Sequence, residues 1–353
     1  MPAENISLSL LSIISLISFF VFLLISKYSN KIGNGILLDQ DFNKPQAFHS
    51  LSIPRSGRLA ASLSFLIFFI FYYLLFNEVN FEYVILTFAM FSMGFIEDIK
   101  LNFKPIYRLI LMIIILLIFT IYFSINITSI DLNFLNSWLK NDIFSILFVL
   151  LCFLFIVNGS NLIDGFNGLL AIHILIINII LLFINLENNH ENLAIMIASQ
   201  IVILISFLFF NFPKAKIFLG DSGSYLFGSL VALNIVETNN LNPEISSFFF
   251  SILLFYLFFE VFFSFFRKLL LKKSPLKPDD KHLHMLFYKY LEKSGKFIDP
   301  NYINSLFINL IYAFFTLPII FFKNNGLVCR YWFFSLLILY IIFYLRIYSF
   351  TKK

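Results

Sequence analysis

The chain has 353 residues, of which 60% are hydrophobic and 13% are charged, with a mean hydropathy of +0.89. Soluble domains carry about 25% charged residues, so this composition excludes a soluble domain and predicts an all-α, polytopic membrane protein. The formal charge of +5 requires no nucleic acid, because basic loops beside a membrane face anionic lipid headgroups. Cys152 and Cys329 lie in different contexts, and neither a disulfide nor a zinc framework follows from them.

Eleven apolar segments are long enough to cross a membrane, although the fifth and the eighth are short. They are 6–25, 59–76, 81–96, 109–125, 143–157, 168–186, 192–211, 223–236, 246–266, 302–322 and 331–346. The first lacks a basic lead and is too long for a signal-peptide core, so we expect it to be a span. The segments predict one integral membrane domain over residues 1–353.

Lysine and arginine predict the orientation of this domain. With the N-terminus outside and the C-terminus inside, every basic residue except Lys140, Lys323 and Arg330 falls on the cytoplasmic side. The polar motifs fall on the same side, whereas a transporter would need polar groups near the membrane midplane. The pattern therefore favours an enzyme or binding site at the cytoplasmic face of an inner-membrane, multi-pass protein. A transporter or an inactive scaffold is the less favoured alternative.

The first cytoplasmic loop ends in Pro54-Arg55-Ser56-Gly57-Arg58, just before a span. Guanidinium groups bind phosphate oxygens in a two-pronged manner, so Arg55 is a candidate for holding a phosphate. Ordinary cytoplasmic positive charge explains the two arginines equally well.

The third span ends in Glu97-Asp98, and Lys100 follows. Adjacent carboxylates at a helix end suit two tasks, which are binding Mg²⁺ through oxygen and accepting a proton from an attacking group. The plain alternative is a solvated helix end.

The stretch from Asn158 to Leu169 places three asparagines and an aspartate between two long apolar runs. Polar groups at the end of a span usually face a protein interior or a water-filled cavity. Its glycines allow the backbone to turn and a ligand to approach. The polar residues Asn158, Asn161, Asp164 and Asn167 therefore indicate a site, although a turn in which Asp164 caps a helix is the alternative.

Gly220-Asp221-Ser222-Gly223-Ser224 leads directly into the eighth span. Free N–H groups at a helix start bind phosphate. A carboxylate there repels phosphate unless a metal ion lies between them, so Asp221 is the best candidate metal ligand. A simple helix cap is again the alternative.

His282 and His284 lie two residues apart in the strongly basic loop 267–301. No cysteine and no third histidine is near them in sequence, so phosphate contact or proton transfer is favoured over zinc binding. A solvated loop in which neither histidine has a role is the alternative.

In this order, the motifs resemble those of the polyprenyl-phosphate N-acetylhexosamine-1-phosphate transferase family, over residues 50–290. Glu97-Asp98 matches the family's Asp-Asp pair, and Asn158 to Leu169 matches its Asn-x-x-Asn-x-x-Asp-Gly-x-x-Gly-Leu motif in full. The family's Gly-Asp-x-Gly-Ser and Pro-Arg-x-Gly motifs are matched from Gly220 and from Pro54. Its His-x-His-His motif is matched only in part, by His282 and His284.

The resemblance implies transfer of HexNAc-1-phosphate from a UDP-HexNAc donor to undecaprenyl phosphate, with release of UMP. This reaction would start a cell-surface glycan such as an O-antigen, a capsule or a similar cell-wall polymer. The phospho-MurNAc-pentapeptide transferase of peptidoglycan synthesis is the alternative within the same chemistry. The resemblance leaves open whether the enzyme is a monomer or a homodimer.

The resemblance also implies roles for the motif residues. Asp98 would act as the base, with Glu97 assisting, and Asp221 and Asp164 would hold Mg²⁺, with Mn²⁺ as the other candidate. Asp221 is also implied to be catalytic, and whether the attack is direct or passes through a phosphorylated Asp221 stays open. The substrate-binding residues implied in this way are Asn158, Asn161, Asp164, Asn167, His282, His284, Arg55 and Lys100.

Three residues depart from the family pattern. Glu97 replaces an aspartate, Met285 replaces the third histidine, and Asp280 stands where many members have arginine. The last two lie in the loop that the family uses for the sugar end of the donor, so the identity of the sugar stays undecided.

Overall fold

A computed structural model describes residues 3–29, 38–39, 52–98, 104–275, 277 and 279–352, and the helices named next contain most of them. They are α1 (Ala3–Tyr28), α2 (Gly57–Phe76), α3 (Phe81–Asp98), α4 (Pro105–Tyr122), α5 (Asn133–Leu139), α6 (Asp142–Ile163), α7 (Leu169–Glu187), α8 (Glu191–Asn211), α9 (Gly220–Leu241), α10 (Ser247–Leu253), α11 (Phe255–Leu270), α12 (Leu283–Ser294), α13 (Pro300–Thr316) and α14 (Gly326–Lys352). A 3₁₀ helix, Pro318–Phe322, follows α13, and β1 (Leu38–Asp39) pairs antiparallel with β2 (Ile53–Pro54).

The eleven predicted apolar segments all coincide with helices, which confirms a helical membrane protein. In the described part of the chain, eight helical segments are long and apolar enough to cross a membrane. They are α1, α2, α4, α6, α7, α8, α13 with the 3₁₀ turn after it, and α14. The count of eleven spans and the placement of the two termini stay predictions.

The three remaining predicted segments differ from simple spans. The apolar part of α3, Phe81–Ile96, is short, and α10 and α11 form a broken pair bent by 75°. Helix α9 is long but polar. Every residue from Ser222 to Asn239 except Glu237 is buried, so other helices surround α9 and its polar groups have protein partners rather than lipid.

An amide cluster made of Asn178, Gln200 and Asn234 joins α7, α8 and α9. Asn234 Nδ2 donates to Gln200 Oε1 at 2.8 Å and to Asn178 Oδ1 at 3.2 Å. Gln200 Nε2 donates to Asn234 Oδ1 at 3.2 Å, and the Tyr83 hydroxyl of α3 donates to the same oxygen at 2.9 Å. These bonds satisfy amides that hydrocarbon could not solvate, so they fix how the four helices meet.

Candidate active site

The ends of α6 and α9 meet through a pair of side-chain hydrogen bonds. The Ser224 hydroxyl donates to Asn161 Oδ1 at 3.1 Å, and Asn161 Nδ2 donates to the Tyr225 hydroxyl at 3.3 Å. Asp164 follows Asn161 by three residues and Asp221 precedes Ser224 by three, so both carboxylates lie at this end of the bundle. Each is half-buried. The two motifs that we expected to hold a metal ion are thus brought together.

The last turn of α3 lies against the first turn of α9. A Cβ atom on Gly94 would lie 2.3 Å from the Cα atom of Ser222, so only glycine permits this approach of the two backbones. Glu97 and Asp98, the last residues of α3, come one turn later. The backbone of the acidic pair therefore lies close to the N-terminus of α9. The side chains of Glu97 and Asp98, and all of Lys100, lie outside the described part of the structure.

The Pro-Arg loop is fastened to the segment before α9. Gly57 N donates to Phe218 O at 3.0 Å, and Phe218 N donates to Pro54 O at 2.9 Å. Arg55 lies half-buried between these two bonds. Arg58 is buried, with its guanidinium 5.3 Å from the centre of the Phe95 ring on α3. Positive charge therefore lies on the side of the site formed by the ends of α2 and α3.

Two predicted substrate-binding asparagines make structural contacts. Asn158 Nδ2 donates to Leu154 O at 2.7 Å and contacts Met112 Sδ of α4 at 3.5 Å. Asn167 Nδ2 donates to Pro213 O at 2.9 Å, and its backbone N donates to Asn301 Oδ1 at 2.8 Å. Asn167 thereby fastens the α6–α7 loop to the segment before α9 and to the first turn of α13. A role for either residue in substrate binding stays a prediction.

Both predicted histidines are buried, and their Nδ1 atoms bind side chains of α11. His282 Nδ1 lies 3.0 Å from Glu260 Oε2, and His284 Nδ1 lies 3.1 Å from the Tyr256 hydroxyl. The edge of the Phe166 ring packs on His284, with 5.7 Å between ring centres. This contact brings the loop that carries His284 to the α6–α7 loop.

Burial lowers the pKa of the His284 side chain to about 4. At neutral pH this imidazole is therefore uncharged, and it can act on a substrate only through hydrogen bonds. If His284 contacts a diphosphate, it does so as a neutral hydrogen-bonding group and not as a cation.

Sequence reasoning missed Glu260, a carboxylate that is 1% exposed. The signal was present, because Glu260 is the one acidic residue between Ser247 and Leu270. A charged residue inside an apolar span is costly and generally has a specific partner.

The two departures in the histidine loop have local explanations. Asp280 forms an ion pair with Lys289, and this hydrogen bond lowers the pKa of the Asp280 carboxyl. Met285 is 1% exposed and packs in the hydrophobic core. A histidine at position 285 would be buried in the same core. Compared with the family pattern, this chain therefore lacks the third polar side chain of the motif.

Mg²⁺ fits the acidic end of the site. Asp164 and Asp221 would supply oxygen ligands from two helix ends that the Asn161–Ser224 hydrogen bond holds together. The described residues contain no group of three or more histidine, cysteine, aspartate or glutamate side chains arranged to hold a metal. Mg²⁺ commonly takes only one or two protein carboxylates and completes its shell with water and substrate phosphates.

A family model described as glycosyl transferase family 4 matches residues 80–239. A phospho-N-acetylmuramoyl-pentapeptide-transferase of Dictyoglomus thermophilum is 32% identical over 272 residues, which are 72% of this chain and 83% of that protein. The chain belongs to glycosyl transferase family 4.

Two further relatives agree with this membership. An undecaprenyl-phosphate alpha-N-acetylglucosaminyl 1-phosphate transferase of Thermotoga maritima is 29% identical over 279 residues, 79% of this chain and 81% of that protein. A phospho-N-acetylmuramoyl-pentapeptide-transferase of Dictyoglomus turgidum is 31% identical over 241 residues, 63% of this chain and 73% of that protein. The predicted resemblance and the assignment as a transferase are confirmed.

The family match covers the acidic and asparagine motifs but not the whole site. Arg55, His282 and His284 lie outside residues 80–239. The structure nevertheless brings their segments to the matched region. Pro54 and Gly57 contact Phe218, and His284 contacts Phe166.

Proposed function

We propose that this protein transfers HexNAc-1-phosphate from a UDP-HexNAc donor to polyprenyl phosphate, with undecaprenyl phosphate as the acceptor. The observation that carries the proposal is the convergence of the ends of α3, α6 and α9, where Gly94 meets Ser222 and Asn161 meets Ser224. Three acidic motifs from distant parts of the sequence meet there at one end of a membrane bundle. The printed activities of the relatives support the same chemistry.

The reaction exchanges one phosphoric anhydride bond for another. An oxygen of the lipid phosphate attacks the phosphorus that bears the sugar, and a new P–O–P bond forms. The bond from that phosphorus to the bridging oxygen breaks, and UMP leaves with the electron pair. Asp98 takes the proton of the lipid phosphate or orients its oxygen, and Glu97 assists.

Mg²⁺, or Mn²⁺ in its place, supplies positive charge to the diphosphate when it is bound. Asp221 and Asp164 are the residues that would hold it. Arg55 and the buried Arg58 supply positive charge near the end of α3, where an anionic lipid headgroup would enter, and Lys100 follows α3 by two residues in the sequence.

Most of the other polar residues of the site bind the donor. Asn161 and Asn167 contact the nucleotide, and Asn158 supports the α6 end. His282 and His284 contact the diphosphate or the sugar, with His284 acting as a neutral hydrogen-bonding group. The site faces the cytoplasm from an inner-membrane protein, and the lipid-linked product starts an O-antigen, a capsule or a similar polymer.

A second candidate donor is UDP-MurNAc-pentapeptide. The 32% identity to the D. thermophilum transferase favours it. The burial of Met285 in place of a third histidine argues for a donor without the peptide, because this loop is the one expected at the sugar end.

A donor panel separates these candidates. The full-length protein in lipid nanodiscs would be given undecaprenyl phosphate, Mg²⁺ and, in turn, UDP-GlcNAc, UDP-GalNAc and UDP-MurNAc-pentapeptide. We expect release of UMP and a lipid-linked sugar phosphate with one of the two simple donors. Asp221→Asn is the matched control and is expected to be inactive at any Mg²⁺ concentration, because an amide cannot replace the charge of a carboxylate on a hard cation. Absence of lipid-dependent UMP release with every donor would overturn the proposal.

A further inference from the structure

Glu260 of α11 makes three hydrogen bonds in a site from which water is excluded. Its carboxylate accepts from His282 Nδ1 at 3.0 Å, from Leu283 N at 3.1 Å and from the Tyr340 hydroxyl at 2.8 Å. Bonds from backbone N–H, imidazole and phenol together offset the cost of burying the charge.

The bond to Leu283 N gives α12 the cap that its own sequence does not provide. His282 is the N-cap residue of α12, and its side chain makes no capping bond. A carboxylate at a helix N-terminus is stabilised by the free N–H groups and by the helix dipole. Glu260 therefore fixes where α12 begins, and with it the position of both histidines.

The bond to His282 fixes the orientation of that ring. Because Glu260 holds Nδ1, Nε2 is the nitrogen left for a substrate. Nε2 is buried and makes no hydrogen bond to the residues that the structure describes. It lies 3.5 Å from Asp279 Oδ1, and Asp279 is itself held by Arg267 through two bonds of 2.8 and 3.2 Å.

The third bond brings the last helix into the site. Tyr340 lies in α14, far from the other motifs in sequence, and its hydroxyl shares Glu260 Oε1 with Leu283 N. One turn later the Tyr344 hydroxyl donates to Lys281 O at 3.1 Å. Helix α14 thus holds both the carboxylate and the residue that precedes His282.

We propose that Glu260, supported by Tyr340 of α14, is a positioning residue that orients His282 Nε2 toward the diphosphate of the donor. The inference rests on the proposed function for its kinetic test, and it extends that function to two residues outside the recognised motifs. It also gives α14 a part in catalysis beyond anchoring the chain in lipid.

The kinetic test is a double-mutant cycle on the full-length protein in nanodiscs, with UMP release as the readout. Glu260→Gln keeps the shape of the side chain but removes its charge and one acceptor. We expect kcat to fall about 10- to 100-fold, the usual range for removing the partner that orients a functional histidine, with little change in the KM for polyprenyl phosphate. In a His282→Gln background the same change should cost less than about 3-fold, because residues that act as a unit are not additive.

Tyr340→Phe is a second variant that tests the inference if Glu260→Gln does not fold, because it removes only one hydroxyl group. We expect it to lower kcat about 3- to 10-fold, as for one hydrogen bond. Tyr312→Phe is the matched control: its buried hydroxyl donates its one proton to Leu253 O at 2.7 Å rather than to Glu260. Its kcat should be unchanged.

A readout that needs no turnover accompanies the cycle. Nitrogen-15 spectra of histidine-labelled protein, with the His282 signals assigned from His282→Gln, should show a hydrogen-bonded Nδ1–H on His282. That signal should shift in Glu260→Gln and stay in place in Tyr312→Phe. If the wild-type protein turns over no donor, the proposed function fails and these spectra alone decide the inference. Equal losses from Glu260→Gln in both backgrounds, full activity of that variant, or an unshifted His282 signal would each overturn it.

Discussion

Two acidic residues of the candidate site lie at opposite ends of their helices. Asp221 lies in the first turn of α9, and Asp98 is the last residue of α3. A helix dipole stabilises a carboxylate at an N-terminus and destabilises one at a C-terminus. This difference agrees with the proposed roles, in which Asp221 holds a cation and Asp98 accepts a proton.

The two carboxylates of the α3 pair should respond differently to mutation. Asp98→Asn should lower the rate of UMP release by about 10²- to 10⁴-fold, the range for losing a positioned general base. Glu97→Asp should change the rate little, because that position already departs from the family in length. Glu82→Gln, at the other end of α3, is the control and should be active. If Asp98→Asn turned over at a near-normal rate while Glu97→Gln was inactive, Glu97 would be the base and Asp98 the assisting residue.

At the scale of helices, the close approach of α3 and α9 determines where the acidic pair lies. The methyl group of Gly94→Ala would lie 2.3 Å from a backbone atom of Ser222 and must push the two helices apart. A misplacement of about 1 Å can cost roughly 10²-fold in rate, so we expect a loss of that order in kcat with the protein still inserted in the membrane.

The control for Gly94→Ala is Gly326→Ala at the start of α14. There the atoms nearest to the new methyl group would be those of the Asp131 side chain, from 3.2 Å, and no backbone atom would lie as close as Ser222 lies to Gly94, so activity should be retained. Wild-type kcat in Gly94→Ala would show that the distance between α3 and α9 is not critical for the reaction.

The helices and the motifs were predictable because each leaves a local signal in sequence. Apolar runs mark the helices, and short polar interruptions mark the loops of the site. The 75° bend between α10 and α11 was not predictable, because it falls within one continuous apolar run. The partnership of Glu260 with Tyr340 was hidden as well, since 80 residues separate the two and no periodic pattern connects them.

For the whole molecule, the side predicted to be external carries little free positive charge. Lys323 pairs with Glu187, and Arg330 donates to Asp131 O at 2.8 Å. Two of the three basic residues expected outside are therefore bound by neighbours. The predicted orientation places the lysines and arginines other than Lys140, Lys323 and Arg330 on the side that faces anionic lipid.

Reporter fusions test this orientation. A fusion after Lys353 should report from the cytoplasm, and fusions within 126–142 should report from the outside, because the basic loops resist translocation. A fusion after Ser274, in the loop expected to be cytoplasmic, is the matched control. An external signal after Lys353 would show that the count of eleven spans is wrong by one.

The amide cluster of Asn178, Gln200 and Asn234 restricts which sequences can keep this fold. Most of the apolar side chains face neighbours as apolar as lipid, so one can replace another with little effect on which helices pair. A helix displaced by one residue, by contrast, would leave these amides without hydrogen-bond partners in hydrocarbon. Helix pairing thus depends strongly on a few polar atoms, and the apolar positions can vary in composition. In this chain that variation has produced 51 phenylalanines.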